Sequence, residues 1–170
     1  MPTLFIFGGL PATGKSTLAS ALTRRQGACL VRIDTIEQAM RDSGLVVDGP
    51  AGYVVGYGLA LDNLRLGSSV VADSVNPLTI TREAWKGVAR QAQVADVEIE
   101  VVCSDPGEHR RRVESRQTDI PGLKLPRWQE VLDREYDEWV TEHIVLDTAG
   151  QTIDESIAAL FNRLAPVNPR

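Results

Sequence analysis

The stretch Gly9-Leu10-Pro11-Ala12-Thr13-Gly14-Lys15-Ser16 fits G-x-x-x-x-G-K-[ST], the Walker A spacing. Its glycines let successive main-chain N–H groups turn inward and form a nest for an anion. A helix starting after the loop adds the partial positive charge of its N-terminus. In such a loop the lysine reaches the β- and γ-phosphates of a nucleotide, and the following hydroxyl ligates Mg2+. Gly9, Ala12, Thr13, Gly14, Lys15 and Ser16 are therefore candidate nucleotide-binding residues, and Thr17 adds a hydroxyl near the α-phosphate. The flanks agree. Thr3-Leu4-Phe5-Ile6-Phe7 suits a buried strand, and Leu18, Ala21 and Leu22 fall at helical spacing downstream.

Other residues have types suited to phosphoryl transfer. Asp34 follows an apolar strand and opens a helical stretch. Aspartate there is a good N-cap, and it is also a carboxylate able to take the proton of a substrate hydroxyl. Arg32, two residues earlier, points to the same face and suits Asp34 or an anionic substrate group. Asp73 closes Ser69-Val70-Val71-Ala72 like a Walker B aspartate that orders Mg2+. The next residue is Ser74, where motor ATPases carry a carboxylate to orient water, so transfer to a bound acceptor is favoured over mechanical hydrolysis. Arg112 and Arg116, four apart on one predicted helix, suit a polyphosphate and its transferring charge. Arg110 and Arg111 read as a solvated face with Glu108 and Glu114. Arg82 stands inside a helix that Asn76-Pro77 would start, and it faces either substrate or solvent. Tyr53 and Tyr57, in the glycine-rich stretch 44–58, line an acceptor site or pack against a helix.

These residues need a frame. Apolar runs at 3–7, 28–33, 69–73, 97–103 and 143–147 alternate with helical patterns near 15–26, 34–43, 51–66, 77–93, 106–117, 127–139 and 152–164. That alternation predicts a three-layer α/β/α fold with a five-stranded parallel sheet. Such sheets bind ligands beyond the carboxyl ends of their strands, where the glycine loop, Arg32-Asp34, Asp73 and Asp147-Thr148 all fall. Trp128, Leu132, Glu135 and Trp139 read as one packed helix face. The segment 117–126, with two prolines and a glycine, resists regular structure and is placed to act as a mobile lid.

Composition sets outer bounds. The chain has 170 residues, the size of a single domain over 1–170. Its net charge of −5 argues against a general nucleic-acid partner. No stretch has the roughly 20 apolar residues of a membrane span. No signal peptide is expected, so the expected compartment is the cytoplasm. The two cysteines, Cys29 and Cys103, read as reduced core residues.

Together the motifs resemble the small P-loop kinases related to chloramphenicol phosphotransferase, the zeta toxins, adenylylsulfate kinase and gluconate kinase, proteins often labelled AAA family ATPases. The resemblance spans nearly the whole chain. It rests on the loop Gly8–Thr17, Arg32-Ile33-Asp34, Val70 to Pro77 with Arg82, Cys103 to Pro106 leading to Arg112 and Arg116, and Val145-Leu146-Asp147-Thr148. It implies that Asp34 is the catalytic base. It implies too that Arg112 and Arg116 are lid arginines, one against adenine and one on phosphate, and that Thr148 and Ala149 pass the adenine. The chain lacks a clear match to the aromatic clamp of adenylylsulfate kinase and to the nucleotide-sugar motifs of the zeta toxins, so the resemblance names no acceptor. The expected activity is transfer of the γ-phosphate of Mg·ATP to a hydroxyl of a small-molecule acceptor. A nucleotide-dependent regulatory module with slow ATP hydrolysis is the alternative; a toxin-like kinase acting on cell-wall precursors or nucleic-acid ends is a weaker one. No Asn-Lys-x-Asp guanine motif occurs.

Overall fold

The first strand, β1 (Thr3–Gly8), sends Leu4 and Ile6 to one side and Phe5 and Phe7 to the other, as the two-residue period of a strand requires. Both sides are apolar, so both must be covered. Helices α1 (Lys15–Gln26) and α7 (Ile153–Leu164) cover the phenylalanine side through Leu18, Leu22, Leu160 and Leu164. Helices α3 (Ala51–Arg65) and α4 (Thr79–Ala92) cover the other side through Ala60, Leu64, Trp85 and Val88. These contacts are seen in a computed structural model of the protein, which describes residues 1–165. The expected unit of 1–170 runs on into 166–170, which lie outside the described residues.

Four more strands join β1: β2 (Cys29–Arg32), β3 (Val70–Asp73), β4 (Ala95–Val102) and β5 (Ile144–Asp147). The sheet is wholly parallel in the order β2-β3-β1-β4-β5. This is the expected three-layer P-loop kinase-like fold. The chain steps out from β1 to the edge at β2, returns to β3 and then crosses to β4. The crevice beyond the carboxyl ends of β1 and β3 is thus the switch point where such sheets take ligands. Register matters there: Asp73 is paired with Phe7 on one side and with Arg32 on the other. Helix α2 (Ile33–Asp42) follows β2 without a loop, which puts Asp34 in its first turn.

The sequence expectation fails between α4 and β5. Of the helix expected over 127–139, only α6 (Trp128–Leu132) forms. The helix expected from Pro77 starts instead at Thr79. Contacts between 76–82 and 137–139 accompany both changes. The Arg82 guanidinium, 4% exposed, donates to the main-chain carbonyls of Asn76, Pro77, Asp137 and Glu138, and it stacks on Trp139. At the start of α4 the Asn76 and Pro77 carbonyls face Arg82 instead of helical N–H groups, and past Leu132 the Asp137 N–H, which a continuing helix would give to the Asp133 carbonyl, donates to the Pro77 carbonyl. Asp137 completes the exchange: its carboxylate accepts from Thr79 N–H at the start of α4. The chain from 133 to 143 therefore lies over β4 in irregular form. It buries Trp139 against Gly8, and Thr141 and Tyr136 donate to Glu98 Oε2 and Glu100 Oε1.

Arg82→Met should leave several buried carbonyls unpaired and cost about 3 kcal/mol or more of stability, measured by urea denaturation. Nucleotide affinity in the folded variant should be unchanged. A variant of normal stability with damaged substrate binding would put Arg82 back in the site.

Candidate active site

The glycine loop is built to leave its N–H groups free. Gly9 has φ 142°, and a Cβ there would collide with the carbonyl oxygen of Val101 on the neighbouring strand. Gly14, at φ 97°, turns the chain into α1. No acidic side chain occupies the first turn of α1, so its N-terminal N–H groups face the cleft uncompensated. The loop is held instead mostly by its carbonyls. Thr13 Oγ1 donates to the Leu10 carbonyl at 3.0 Å. His109 Nε2 bonds the Pro11 carbonyl at 2.8 Å, and Thr148 Oγ1 donates to the Thr13 carbonyl at 2.7 Å.

Helix α5 (Pro106–Ser115) supplies most of that support. Asp105 caps it, and Pro106 suits its first turn. Arg112 donates to Thr148 Oγ1 and to the Thr148 carbonyl, each at 2.8 Å, and pairs with Glu108. Glu108 in turn accepts from Gly150 N–H. That N–H and the Arg112 guanidinium hold the Glu108 carboxyl below the usual range. Arg112 is thus fixed on the loop after β5.

At the ends of β2 and β3, Asp73 is 3% exposed and lies 3.9 Å from Lys15 Nζ and 3.5 Å from Arg32 Nε. Arg32 also donates from Nη1 to both carboxylate oxygens of Asp119, at 3.0 and 2.9 Å. Burial works against the Arg32 charge, yet Asp119, Asp73 and Asp34 raise its pKa on balance. Asp119 is held below the usual carboxylate range chiefly by that hydrogen bond. Ser16 Oγ and the Asp73 carboxylate are hard-oxygen donors of the kind that Mg2+ takes, one or two from protein with phosphate and water filling its remaining positions.

Three hollows surround this centre. A cleft of about 520 Å3 is lined by Gly14 to Thr17, Arg32, Arg112, Arg116 and Asp119. A recess of about 250 Å3 shares Ala12, Thr17 and Arg112 with it and adds Thr148 and Ile153. A second cleft, of about 480 Å3, is lined by Lys15, Asp34, Glu37, Arg41 and Arg116 together with Gly122 to Pro126. Lys15 and Arg116 line both large clefts, so the two meet at these side chains. The segment 117–126 also serves both: Gln117 and Asp119 face the first, and Gly122 to Pro126 face the second.

Most sequence-predicted residues converge here, with corrections. Arg116 does not share a helix face with Arg112, because α5 ends at Ser115 and Arg116 is extended; both still line the first cleft. Arg32 lies in the first cleft, not beside Asp34 in the second. Arg82 faces neither, for its donors are taken by main-chain carbonyls. Tyr53 and Tyr57 also leave the candidate acceptor residues. Tyr53 Oη accepts from Asn76 N–H, Tyr57 Oη donates to the Thr81 carbonyl, and both rings pack between α3 and α4. Ala149 contributes its N–H to Asp147 rather than lining a hollow. His109, Asp119 and Glu108 were not singled out as site residues. Only Glu108, four residues before Arg112, carried a sequence signal.

The chain belongs to a family described as AAA domain, whose model matches residues 4–134. No curated protein matches the sequence. Among solved structures, the protein is similar to a presumed kinase from Chloroflexus aurantiacus J-10-fl, with 22% identity, a TM-score of 0.74 and 98% of each chain covered. It is also similar to the Mycobacterium tuberculosis APS kinase in complex with AMPPNP and APS, at 16% identity and TM-score 0.67 over 96% of this chain and 97% of that one. A third likeness is to Chaetomium thermophilum Kti12 in complex with ADP-AlF3, at 19% identity and TM-score 0.66 over 95% and 99%. These likenesses establish the fold of the small P-loop kinases.

The Arg32–Asp119 pair ties segment 117–126 to the sheet. Because the folded pKa of Asp119 is depressed, the pair is intact above the ordinary aspartate range and is lost only as pH falls below it. Asp119→Asn should therefore loosen the segment at pH 7. Exposed pairs are worth at most about 1 kcal/mol, so limited proteolysis within 117–126 should rise by up to about 5-fold. Unchanged cleavage would show that the pair does not restrain the segment.

Proposed function

We propose that this AAA-domain protein is a phosphotransferase that moves the γ-phosphate of Mg·ATP to a hydroxyl of a small-molecule acceptor. The observation that carries the reading is the junction of two clefts at Lys15 and Arg116, with the phosphate loop on one side and Asp34 on the other. A hydrolase needs one cleft and water; a transferase needs a second cleft opening on the γ-phosphate.

ATP lies with its phosphates on the N–H groups of Ala12 to Thr17 and its base in the recess beside Arg112 and Thr148. The acceptor lies in the second cleft with its hydroxyl toward Asp34. As the hydroxyl oxygen bonds to the γ-phosphorus, its proton passes to the Asp34 carboxylate, and the bond from that phosphorus to the β–γ bridging oxygen breaks, releasing ADP. Lys15 and Arg116 hold the charge that spreads over the transferring group. Ser16 and Asp73 would hold Mg2+, which would supply further neutralisation of the phosphates. Segment 117–126 acts as a lid over both clefts and excludes water, which would otherwise take the phosphoryl group.

One observation favours a second reading, a nucleotide-dependent regulatory module with slow hydrolysis. Ser74, buried after Asp73, has no carboxylate to position water, which suits slow turnover. The second cleft with Asp34 has no task in that reading.

ATP consumption should be stimulated by one class within a panel of sugars, nucleosides and other hydroxyl compounds, with a phosphorylated product by mass spectrometry. Lys15→Ala should abolish turnover. Asp34→Asn should keep ATP affinity and lose about 10²-fold or more in transfer. The sequence reading of Asp34 as an N-cap does not hold, because Arg32 is the N-cap and no side chain caps α2; full turnover in Asp34→Asn would leave Asp34 only as an acidic group in the first turn of that helix.

A further inference from the structure

The second cleft holds more positive charge than the transfer step uses. Lys15 and Arg116 belong to the junction, and Asp34 is the proposed base. Arg41 and Glu37, one turn apart on α2, satisfy each other at 3.1 Å. That leaves Lys124 and Arg134 lining the same cleft, and neither has an acidic partner among the described residues. They arrive from different segments, Lys124 from the 117–126 loop and Arg134 from just past α6. The protein as a whole is acidic, at −5, so two unpaired cations on one cleft are not a by-product of a basic surface.

We propose that the acceptor is a small hydroxylated anion, and that Lys124 and Arg134 read its carboxylate or phosphate. This inference rests on the phosphotransferase reading of the same cleft and gives the acceptor its chemical class. A neutral polyol would find hydrogen bonds there but would leave both cations bound to water alone. An anion gains from both. The charge also orients it. The Asp34 carboxylate repels the anionic end, and Lys124 and Arg134 attract it, so the hydroxyl is presented to Asp34. Lys124 adds a coupling: as part of the 117–126 segment, it draws that segment onto a correctly charged acceptor. Cationic amino-alcohols and aminoglycosides are disfavoured by the same field.

The test uses matched pairs on the full chain. With AMPPNP and Mg2+ saturating the first cleft, binding of glycerate, glucuronate and glucose 6-phosphate is measured by calorimetry against glycerol and glucose. At least one anion should bind at least 10-fold more tightly than its neutral partner. The double variant Lys124→Gln/Arg134→Gln should lose at least 10-fold of that affinity while its AMPPNP affinity is unchanged. Both side chains are exposed, so the fold is not at risk. The same compounds are then incubated with ATP and the products weighed. An anion that binds through Lys124 and Arg134 without being phosphorylated would uphold the charge reading and overturn the transferase reading. A neutral compound bound and phosphorylated as well as its anion would overturn the charge reading and leave the transferase reading standing. Absence of any anion binding that depends on the two cations would also overturn the charge reading.

Discussion

A loop that binds phosphate through its main-chain N–H groups cannot use those groups to hold itself in shape. Its conformation must come from outside, mostly through its carbonyls. Here the Pro11 carbonyl is taken by His109, the Thr13 carbonyl by Thr148, and the Leu10 carbonyl by Thr13 itself. Gly9 N–H is the exception, spent on the Val75 carbonyl beyond β3. Three distant segments therefore converge on the loop before any ligand does: the end of β3, helix α5 and the end of β5. The rest of the site follows, because the residues that brace the loop come from the segments that line the clefts. Arg112, which grips Thr148, is one of them.

The second organising feature is a row of charge across strand ends. Parallel register sets Arg32 beside Asp73. Lys15, in the first turn of α1, closes over Asp73 from above the sheet. The buried Asp73 carboxylate pairs with both cations, and Lys15 still lines both large clefts. Arg32 carries the pattern outward to Asp119. Sheet, phosphate loop and segment 117–126 are thus linked by one chain of ion pairs.

Much of this was legible in the sequence. The apolar runs of β1 and β3, the Walker A spacing and the Asp105-Pro106 helix start each have a local cause, and each element formed where its signal lay. What was not legible is non-local. Nothing in Trp128 to Trp139 announces that the helix must stop at Leu132, because 137–139 is held irregular by residues more than fifty positions away: Asp137 N–H goes to the Pro77 carbonyl, and Arg82 takes the carbonyls of Asp137 and Glu138. The same exchange turned Arg82 from a candidate substrate residue into a core residue. Tyr53 and Tyr57 carry an ambiguous signal, since aromatic rings one helical turn apart suit a pocket or a packed face equally, and packing won. Asp119 and His109 each act through one partner far along the chain, Arg32 and Pro11, a pairing that no local spacing encodes.

The central claim is that the phosphoryl group crosses from one cleft to the other past Lys15 and Arg116. Tracing ATP labelled with 18O in its γ-phosphate tests it directly, in the presence of hydroxylated anions and their neutral counterparts, with products separated by mass. The account predicts that label appears as a phosphate ester on an acceptor in step with the ATP consumed. Label found only in inorganic phosphate, at a rate no acceptor changes, would contradict it and leave a slow nucleotide hydrolase.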